Sequence, residues 1–292
     1  MHKVIVAGSL NYDIFLEAPR RPDKGETLEG FRWYPKFGGK GGNQALAAAA
    51  AGCETVMVGA VGDDSFAPAL LDTLQKSGVD TTLVQRLKGS KSGMSVAIMD
   101  ADGDYGAVIV AGSNFHIDNR VFSREEIWQN AGLLILQNEV SEESNLTAAR
   151  EARRRGIKIC LNAAPVRELA TEFRQLIDVL VVNEVEAASF ARVQVNSESQ
   201  ALEAARILSR DFPVAVVTAG SHGVGFASRD GESGSESAHQ VKLVSTHGAG
   251  DCFVGSLCAK LVAGEGLAAA VHYANARAAA HVSAARTVQD LS

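Results

Sequence analysis

Short runs of β-branched and other apolar residues alternate along the chain with amphipathic or alanine-rich stretches. The apolar runs that predict buried strands are 4–7, 55–58, 133–137, 157–161, 179–182 and 214–218. The stretches that predict helices are 43–51, 65–76, 142–155, 199–210, 251–262 and 267–285. Strands that alternate with helices build parallel sheets, so the pattern predicts an α/β fold with a doubly wound sheet.

Two segments interrupt this alternation, at residues 12–37 and 92–111. Each has the pattern of extended chain with turn-forming residues inside it, at 23–25 in the first and at 100–104 in the second. Because both segments lie between strand–helix units, we expect them to pair into a small sheet that forms a lid over a pocket. The whole chain, 1–292, is then a single domain. A Gly-, Ser- and Glu-rich stretch at 229–239 is expected to be an exposed hairpin loop.

Composition narrows the choice of partners and compartment. The 292 residues include 28 Lys and Arg against 34 Asp and Glu, a net charge of −6, which argues against a nucleic-acid partner. No apolar run reaches the roughly 18 residues of a membrane helix, and the N-terminal segment lacks the features of a signal peptide. The 4 cysteines show no metal-ligand spacing. We therefore expect a cytoplasmic protein with reduced thiols and no membrane partner.

The sharpest chemical motif is Thr246-His247-Gly248-Ala249-Gly250-Asp251, which follows a strand-like stretch at 241–244 and opens an apolar helix. Small residues let the backbone approach an anion, and the first N–H groups of a helix point towards it. A carboxylate beside a phosphate is repulsive unless it accepts a proton from a hydroxyl that attacks the phosphorus. Asp251 is therefore a candidate base, although an acid at a helix N-terminus also stabilises the helix dipole without any catalytic role.

Two further motifs suit a polyhydroxylated ligand. Phe37-Gly38-Gly39-Lys40-Gly41-Gly42-Asn43-Gln44 places a cation and two amides in a glycine-rich turn before a helix, where Asn43 could equally be only a helix cap. In Gly8-Ser9-Leu10-Asn11-Tyr12-Asp13, the alternation of an extended chain places Asn11 and Asp13 on one side. A carboxylate beside an amide suits sugar hydroxyls, but surface loops often contain such pairs.

Together these motifs resemble the ribokinase-like branch of the PfkB carbohydrate kinase family. Their order and spacing match the family from about residue 4 to residue 280. Further segments that agree are Gln137-Asn138-Glu139, Asn162-Ala163-Ala164-Pro165, Asn183-Glu184-Val185-Glu186 and Thr218-Ala219-Gly220-Ser221-His222-Gly223. The resemblance implies a mostly parallel Rossmann-like sheet flanked by helices, with a small β-sheet lid. It also implies phosphorylation of a sugar hydroxyl with ATP as co-substrate and Mg²⁺ as cofactor.

The resemblance also implies roles for individual residues. Asp251 matches the catalytic base, and the N–H groups of Gly248, Ala249 and Gly250 match the anion hole, which stabilises charge on the transferred group. The matches to sugar-binding positions are Asn11, Asp13, Gly39, Lys40, Asn43 and Glu139. The matches to nucleotide-binding positions are Asn183, Thr218, Gly220, Gly223 and Asn275. Glu186 matches a residue that positions Mg²⁺ through water.

This chain departs from the family at positions where other members hold a monovalent cation. Its members usually have Asp-Thr before the anion hole, where the Asp helps to hold the cation, whereas this chain has Ser245-Thr246. The family's cation loop also continues into a Gly-Ala turn, which the residues 285–292 do not contain. We therefore expect that K⁺ does not activate the enzyme, or that Arg286 replaces part of the charge. His247, beside the anion hole, is expected to face solvent or core without a functional role.

Several substrates stay open. D-ribose, converted to ribose 5-phosphate, fits the sugar-binding set best, but fructokinases, deoxyribose kinases, ketodeoxygluconate kinases and nucleoside kinases share the scaffold. Tyr12 and the lid aromatics Phe31, Trp33 and Tyr34 would favour a nucleoside if they stack on a base. Otherwise they pack the lid strands or a homodimer formed through the lid. The alternative from a different class is a non-catalytic sugar or nucleotide sensor, which would not need Asp251 as a base.

Overall fold

The structure is a computed structural model that describes residues 3–101 and 105–284. Its strands are β1 (Lys3–Ala7), β2 (Asn11–Glu17), β3 (Arg32–Gly38), β4 (Thr55–Gly62), β5 (Asp80–Leu87), β6 (Gly93–Met99), β7 (Tyr105–Val110), β8 (Ala131–Gln137), β9 (Lys158–Asn162), β10 (Val179–Val182), β11 (Val214–Thr218), β12 (Val224–Ser228) and β13 (Ser233–Glu236). Its helices are α1 (Lys40–Ala50), α2 (Phe66–Lys76), α3 (Glu125–Trp128), α4 (Glu142–Arg154), α5 (Thr171–Leu176), α6 (Glu184–Ala191), α7 (Glu198–Leu208), α8 (Ala249–Val262) and α9 (Leu267–Ser283). Each helix in this described part is too short or too polar to cross a membrane.

The large sheet has nine strands in the order β13-β12-β11-β10-β9-β8-β1-β4-β5. All neighbours from β5 to β11 are parallel, whereas β12 and β13 are antiparallel. Along β1, Ile5 and Val6 enter hydrophobic cores on opposite faces of the sheet, which explains why the strand is apolar throughout. Helices α1, α2, α8 and α9 cover one face and α4 to α7 the other. The predicted doubly wound, mostly parallel α/β class is therefore confirmed.

The small sheet has four strands in the order β3-β2-β6-β7, all supplied by the two segments that interrupt the strand–helix alternation. Strands β2 and β6 are parallel, and β3 and β7 pair antiparallel on the outside. Large apolar side chains on or beside its strands are exposed, namely Phe31, Trp33, Val108, Ile109 and Val110. The small second sheet expected from the sequence is therefore present.

One local prediction is wrong and a second is only partly right. Residues 241–244 form no strand, because the N–H of Val244 donates to the carbonyl of Val282 at the end of α9, 2.8 Å away, and not to a sheet neighbour. The stretch 229–239 is not all loop, since part of it forms β13. Gly234 permits this pairing, because a Cβ at that position would lie 2.7 Å from the ring of Phe226 on β12.

The parallel strands bring the sequence motifs to one edge of the large sheet. Gly8 follows β1, Asn138 follows β8, Ala163 follows β9 and Asn183 follows β10. Because these strands are parallel neighbours, their carboxyl ends meet at the same edge, where open α/β sheets bind ligands. The small sheet continues from the same region, since β2 begins four residues after β1 ends.

Candidate active site

Asp251 lies in the first turn of α8 and is only 7% exposed. Gly248, with a left-handed φ of 75°, turns the chain into this helix. The Gln44 amide donates to Asp251 Oδ1 at 2.9 Å, and the Asn43 amide lies 3.5 Å from Oδ2. Burial raises the pKa of Asp251, and the charge of Lys40 opposes the rise. The carboxylate is therefore held in place and is more basic than one in water.

The turn 246–250 presents the start of α8 beside this carboxylate. The N–H of Ala249 donates to the carbonyl of Thr246 at 3.2 Å, so one of the three predicted anion-hole donors bonds within the turn in this structure. Gly250 is exposed, and a Cβ built on it would meet nothing within 4 Å among the described residues outside its own helix turn. An anion could therefore approach the helix N-terminus closely at this position.

Glu139 joins the end of β8 to the start of α1. Its Oε2 accepts from the Lys40 backbone N–H at 2.9 Å and from the Ser9 hydroxyl at 2.5 Å. The Ser9 Oγ in turn accepts from the Gly41 N–H at 3.3 Å. Gly39 makes this approach possible, because its φ is 86° and a Cβ there would lie 2.7 Å from the Ser9 carbonyl oxygen. The glycines thus bring three chain segments together around one carboxylate.

Asn11 and Asp13 on β2 are each 4% exposed and are fixed by neighbouring elements. The Asn114 amide donates to Asn11 Oδ1 at 2.8 Å, and the Ser95 hydroxyl donates to Asp13 Oδ1 at 2.5 Å. Burial raises the pKa of Asp13 to about 6, against the opposing effect of the Ser95 hydrogen bond. Gly38 leaves room for this carboxylate, because a Cβ there would lie 1.8 Å from its Oδ2.

His247 is partly exposed to solvent, as expected, but its ring also lies close to two residues of the small sheet. Its side chain points from the turn 246–250 towards the small sheet, where Nε2 lies 3.7 Å from Asp13 Oδ2. The ring meets Phe15 edge to face, with centroids 5.3 Å apart. Burial and the charge of Lys36 lower the pKa of His247 to about 4, although 39% of the side chain is still exposed. The imidazole is therefore neutral near pH 7.

Asn183 and Glu186 form a reciprocal cap at the start of α6. Asn183 Oδ1 accepts from the N–H groups of Val185 and Glu186, both at 2.9 Å, and Glu186 Oε2 accepts from the Asn183 N–H at 2.7 Å. Burial raises the pKa of Glu186, and the charge of Lys40 opposes this. The two residues thus have a structural role in the helix, and Glu186 also lies within the electrostatic reach of Lys40.

The remaining predicted nucleotide-binding residues surround the end of β11. The Thr218 hydroxyl donates to the Val182 carbonyl at 3.4 Å. Gly220 and Gly223 have φ of 52° and 98°. At Gly223 a Cβ would lie 2.1 Å from the Glu236 carbonyl oxygen, so only glycine fits. Asn275 on α9 donates to the Ser237 carbonyl at 2.9 Å, which ties it to the chain after β13.

The structure thus joins the predicted base and several sugar-binding residues through direct contacts, while Asn275 contacts the chain after β13. It also adds buried polar residues for which sequence reasoning predicted no role. Gln44 accepts from the Gln137 amide at 2.8 Å and donates to Asn162 Oδ1 at 3.1 Å as well as to Asp251. Gln137 and Asn162 could have been found from the sequence, because each is a polar residue at the end of an apolar strand.

Oxygen atoms near Ser245 already have hydrogen-bond donors. Ser245 Oγ accepts from the His247 N–H at 3.3 Å. His281 Nε2 lies 2.9 Å from the His247 carbonyl oxygen, and because a carbonyl only accepts, Nε2 carries the proton. Arg286, the predicted substitute for a cation, lies outside the described residues. Within those residues no three His, Cys, Asp or Glu side chains are grouped to hold a metal ion.

Comparison with known proteins gives matches along the full chain. A family model described as pfkB family carbohydrate kinase matches residues 1–292. A ribokinase of Haemophilus influenzae is 31% identical over 280 residues, covering 95% of this chain and 91% of the relative. A deoxyribokinase of Salmonella typhi is 32% identical over 255 residues, covering 86% of this chain and 83% of the relative.

Among solved structures, that of Arabidopsis thaliana ribokinase complexed with ribose and ATP matches with a TM-score of 0.88 and 25% identity. The match covers 97% of this chain and 93% of the other. The comparisons confirm the ribokinase-like resemblance and fold class predicted from the motifs.

Proposed function

We propose that this chain, which belongs to the pfkB family of carbohydrate kinases and is a sugar kinase, phosphorylates D-ribose with ATP to ribose 5-phosphate. The observation that carries the proposal is Asp251, a buried carboxylate of raised pKa at the N-terminus of α8. Relatives that are ribokinases, at 31% and 32% identity over most of the chain, support ribose as the acceptor.

In this proposal Asp251 accepts the proton of the attacking sugar hydroxyl as the new oxygen–phosphorus bond forms and the bond to ADP breaks. The N–H groups of Gly248, Ala249 and Gly250 stabilise the negative charge on the transferred phosphoryl group, aided by the dipole of α8. Ala249 must then exchange its bond to Thr246 for one to the phosphoryl oxygens.

The proposed sugar-binding residues line the region between the two sheets. They are Asn11, Asp13, Gly39, Lys40, Asn43 and Glu139. The contacts among these residues support the assignment. Glu139 accepts a hydrogen bond from the Lys40 backbone N–H, and the Asn43 amide lies close to Asp251. A ligand bound among these groups meets carboxylate acceptors, amide donors and an ammonium, which together suit a polyhydroxylated sugar.

The proposed nucleotide-binding residues are Asn183, Thr218, Gly220, Gly223 and Asn275, with Mg²⁺ near Glu186. Mg²⁺ in kinases keeps several waters and uses few carboxylates besides the phosphates, so a single buried carboxylate such as Glu186 fits it. When bound, the ion neutralises charge on the phosphates. Glu186 would hold it through water, since its Oε2 already caps Asn183.

We further propose that the chain works as one kinase domain whose small sheet is a lid that excludes water from the phosphoryl transfer. Exposed apolar side chains on that sheet, including Trp33 at 63% and Val108 at 69%, support a homodimer formed through it. A cytoplasmic location belongs to the same proposal. It is supported by the cysteines, all four of which lie in the described residues without a disulfide.

The aromatic residues favour a sugar over a nucleoside. The Tyr12 ring stacks on Phe66 with centroids 4.1 Å apart, and Tyr34 stacks on Phe15 at 5.5 Å. One face of each tyrosine ring is therefore used in packing, Tyr12 against α2 and Tyr34 against β2, as in the structural alternative considered for them. Phe31 and Trp33 are exposed and do not contribute to this argument. A deoxyribose kinase is the second candidate, because a deoxyribokinase is 32% identical to this chain.

A coupled ADP-release assay with ATP and Mg²⁺ tests the proposal across ribose, deoxyribose, fructose, ketodeoxygluconate, adenosine and inosine. We expect the highest kcat/KM with ribose. If deoxyribose or a nucleoside were preferred, the proposed role of Asp251 would stand and the proposed substrate would change. If no acceptor stimulated ADP release while sugar or nucleotide still bound, the sensor alternative would replace the kinase.

A further inference from the structure

His247 lies where the turn 246–250 meets the small sheet. Its backbone belongs to the turn that opens α8, whereas its ring contacts Asp13 and Phe15 on β2. The His281 imidazole holds the His247 carbonyl from α9, so the backbone from which the ring projects is itself anchored. The side chain therefore lies between the proposed anion hole and a proposed sugar-binding residue.

The two oxygens of Asp13 have different surroundings. Oδ1 accepts from the Ser95 hydroxyl at 2.5 Å, while Oδ2 faces His247 Nε2 at 3.7 Å. A separation of 3.7 Å is too long for a direct hydrogen bond. One hydroxyl oxygen placed about 2.8 Å from both atoms is within normal hydrogen-bond length of each, with an angle of roughly 80° at that oxygen. The pair can therefore hold a single hydroxyl between its members, and a small opening of the pair on binding relaxes the angle of this bridge.

The charges of the pair match the two hydrogen bonds of a hydroxyl. The imidazole is neutral near pH 7, because burial and nearby Lys36 and Lys40 disfavour its cation. With the proton on Nε2 it donates one hydrogen bond. The Asp13 carboxylate accepts one. A sugar hydroxyl can accept from the first and donate to the second at the same time.

We propose that His247 is a sugar-binding residue whose Nε2–H donates to the same hydroxyl that donates to Asp13 Oδ2. The proposal rests on the proposed sugar kinase function and adds a contact to it. Through this contact, the bound sugar links the small sheet to the turn that receives the phosphoryl group. Occupation of the sugar site thereby helps to hold the site of transfer together.

Two substitutions separate the donor from the packing of the ring. H247F keeps an aromatic ring against Phe15 but removes the N–H, and H247Q keeps an amide donor. Calorimetry without nucleotide is expected to show ribose binding to H247F about tenfold weaker than to wild type, and to H247Q within about threefold. ATP binding should change less than twofold in both. H116F, at an exposed histidine outside the site, is the matched control and should bind like wild type.

The 1-, 2- and 3-deoxy analogues of ribose test whether one hydroxyl is involved. If the proposal is right, wild type and H247F bind one of these analogues equally, because the hydroxyl held by His247 is missing from it. A tenfold loss that persists on every analogue, or no loss with ribose, overturns the proposal. If H247F does not fold, H247A replaces it in the same comparison.

The same measurements distinguish failure of the contact from failure of the proposed function. Wild-type protein that binds ribose without phosphorylating it would refute the kinase function, while the analogue comparison would still decide the role of His247. If another sugar binds instead of ribose, the deoxy analogues of that sugar are used. Absence of binding by every sugar in the panel would overturn both proposals.

Discussion

The acceptor side and the nucleotide side of the proposed site are built differently. On the acceptor side, Asn11, Asp13 and Asp251 are 4%, 4% and 7% exposed, and each bonds to a side chain from another element. On the nucleotide side, Gly220 is exposed and Asn275 half-buried, and Asn275 bonds to a backbone carbonyl. Burial holds acceptor groups in place before ligand arrives, whereas backbone turns leave space for a ligand at the surface.

The largest expected effect tests whether acceptor-side burial serves catalysis. D251N keeps the shape of the side chain but cannot accept a proton, so kcat should fall by about 10³-fold or more. Ribose and ATP affinities should stay within about threefold, because the amide retains an oxygen for Gln44. Initial rates and calorimetry measure the two effects.

D230N, at an exposed turn, is the matched control and should keep wild-type rates. Retention of a tenth or more of the wild-type kcat by D251N would remove Asp251 from the role of base.

Measurements at different pH separate the contribution of the acceptor side to folding stability from its contribution to ribose binding. Because the Asp13 pKa is about 6 in the folded protein and 3.8 in the unfolded chain, the folded state holds the proton more tightly. The stabilisation from this residue is full below about pH 4 and is lost as pH rises to 6, by about 3 kcal/mol. Ribose affinity should change in the opposite direction, falling below pH 6 as the carboxylate is protonated.

The comparison of wild type with D13N isolates this effect in urea unfolding between pH 4 and pH 7. The unfolding free energy of wild type minus that of D13N should fall as the pH rises across that range. A difference that does not vary with pH would show that Asp13 titrates normally.

The two sides should also differ in their contribution to stability. Gln44 is fully buried and bonds to Gln137, Asn162 and Asp251, so Q44A leaves three buried polar groups without this partner. Its unfolding free energy should drop by about 2 to 4 kcal/mol. N275A removes one partly exposed bond and should cost about 0.5 kcal/mol. Urea unfolding at one pH measures both.

Q75A, at an exposed helical glutamine, controls for the loss of a glutamine side chain. Equal costs for Q44A and N275A would refute the distinction between a prebuilt acceptor side and an open nucleotide side.

The smallest expected effect concerns K⁺. The Ser245 hydroxyl and the His247 carbonyl already accept hydrogen bonds, which leaves fewer oxygens to coordinate a cation near this turn. Replacing Na⁺ by K⁺ at constant ionic strength should therefore change kcat by less than about twofold. A several-fold activation in the coupled assay would contradict this expectation.

Much of the fold could be predicted because burial leaves a periodic pattern in the sequence. The predicted strands 179–182 and 214–218 match β10 and β11 in both bounds. The pattern was wrong at 241–244, where apolar residues suggested a strand. There a backbone bond to Val282 decided the outcome, and no local pattern encodes a partner on a distant helix.

Within the site, the motifs around Asp13, Lys40 and Asp251 could be found because each is a short local segment. The contacts between them could not. Gln44 and Asp251 are 207 positions apart, and their hydrogen bond exists only because α1 and α8 pack on the same face of the sheet. Nothing in the sequence places the ring of His247 against β2, so its contact with Phe15 could not be predicted.

The sequence by itself determined the main alternation of strands and helices and the residue types available for chemistry, because hydrophobic periodicity and glycine-rich turns are local properties. It did not predict β5, β12, α3, α5 or α6. The tertiary structure alone decided which side chains meet, how deeply each carboxylate is buried and therefore which pKa values rise. Those properties depend on neighbours brought from distant parts of the chain. The Asp13–His247 pair shows this, since its 3.7 Å spacing arises only where the small sheet meets the start of α8.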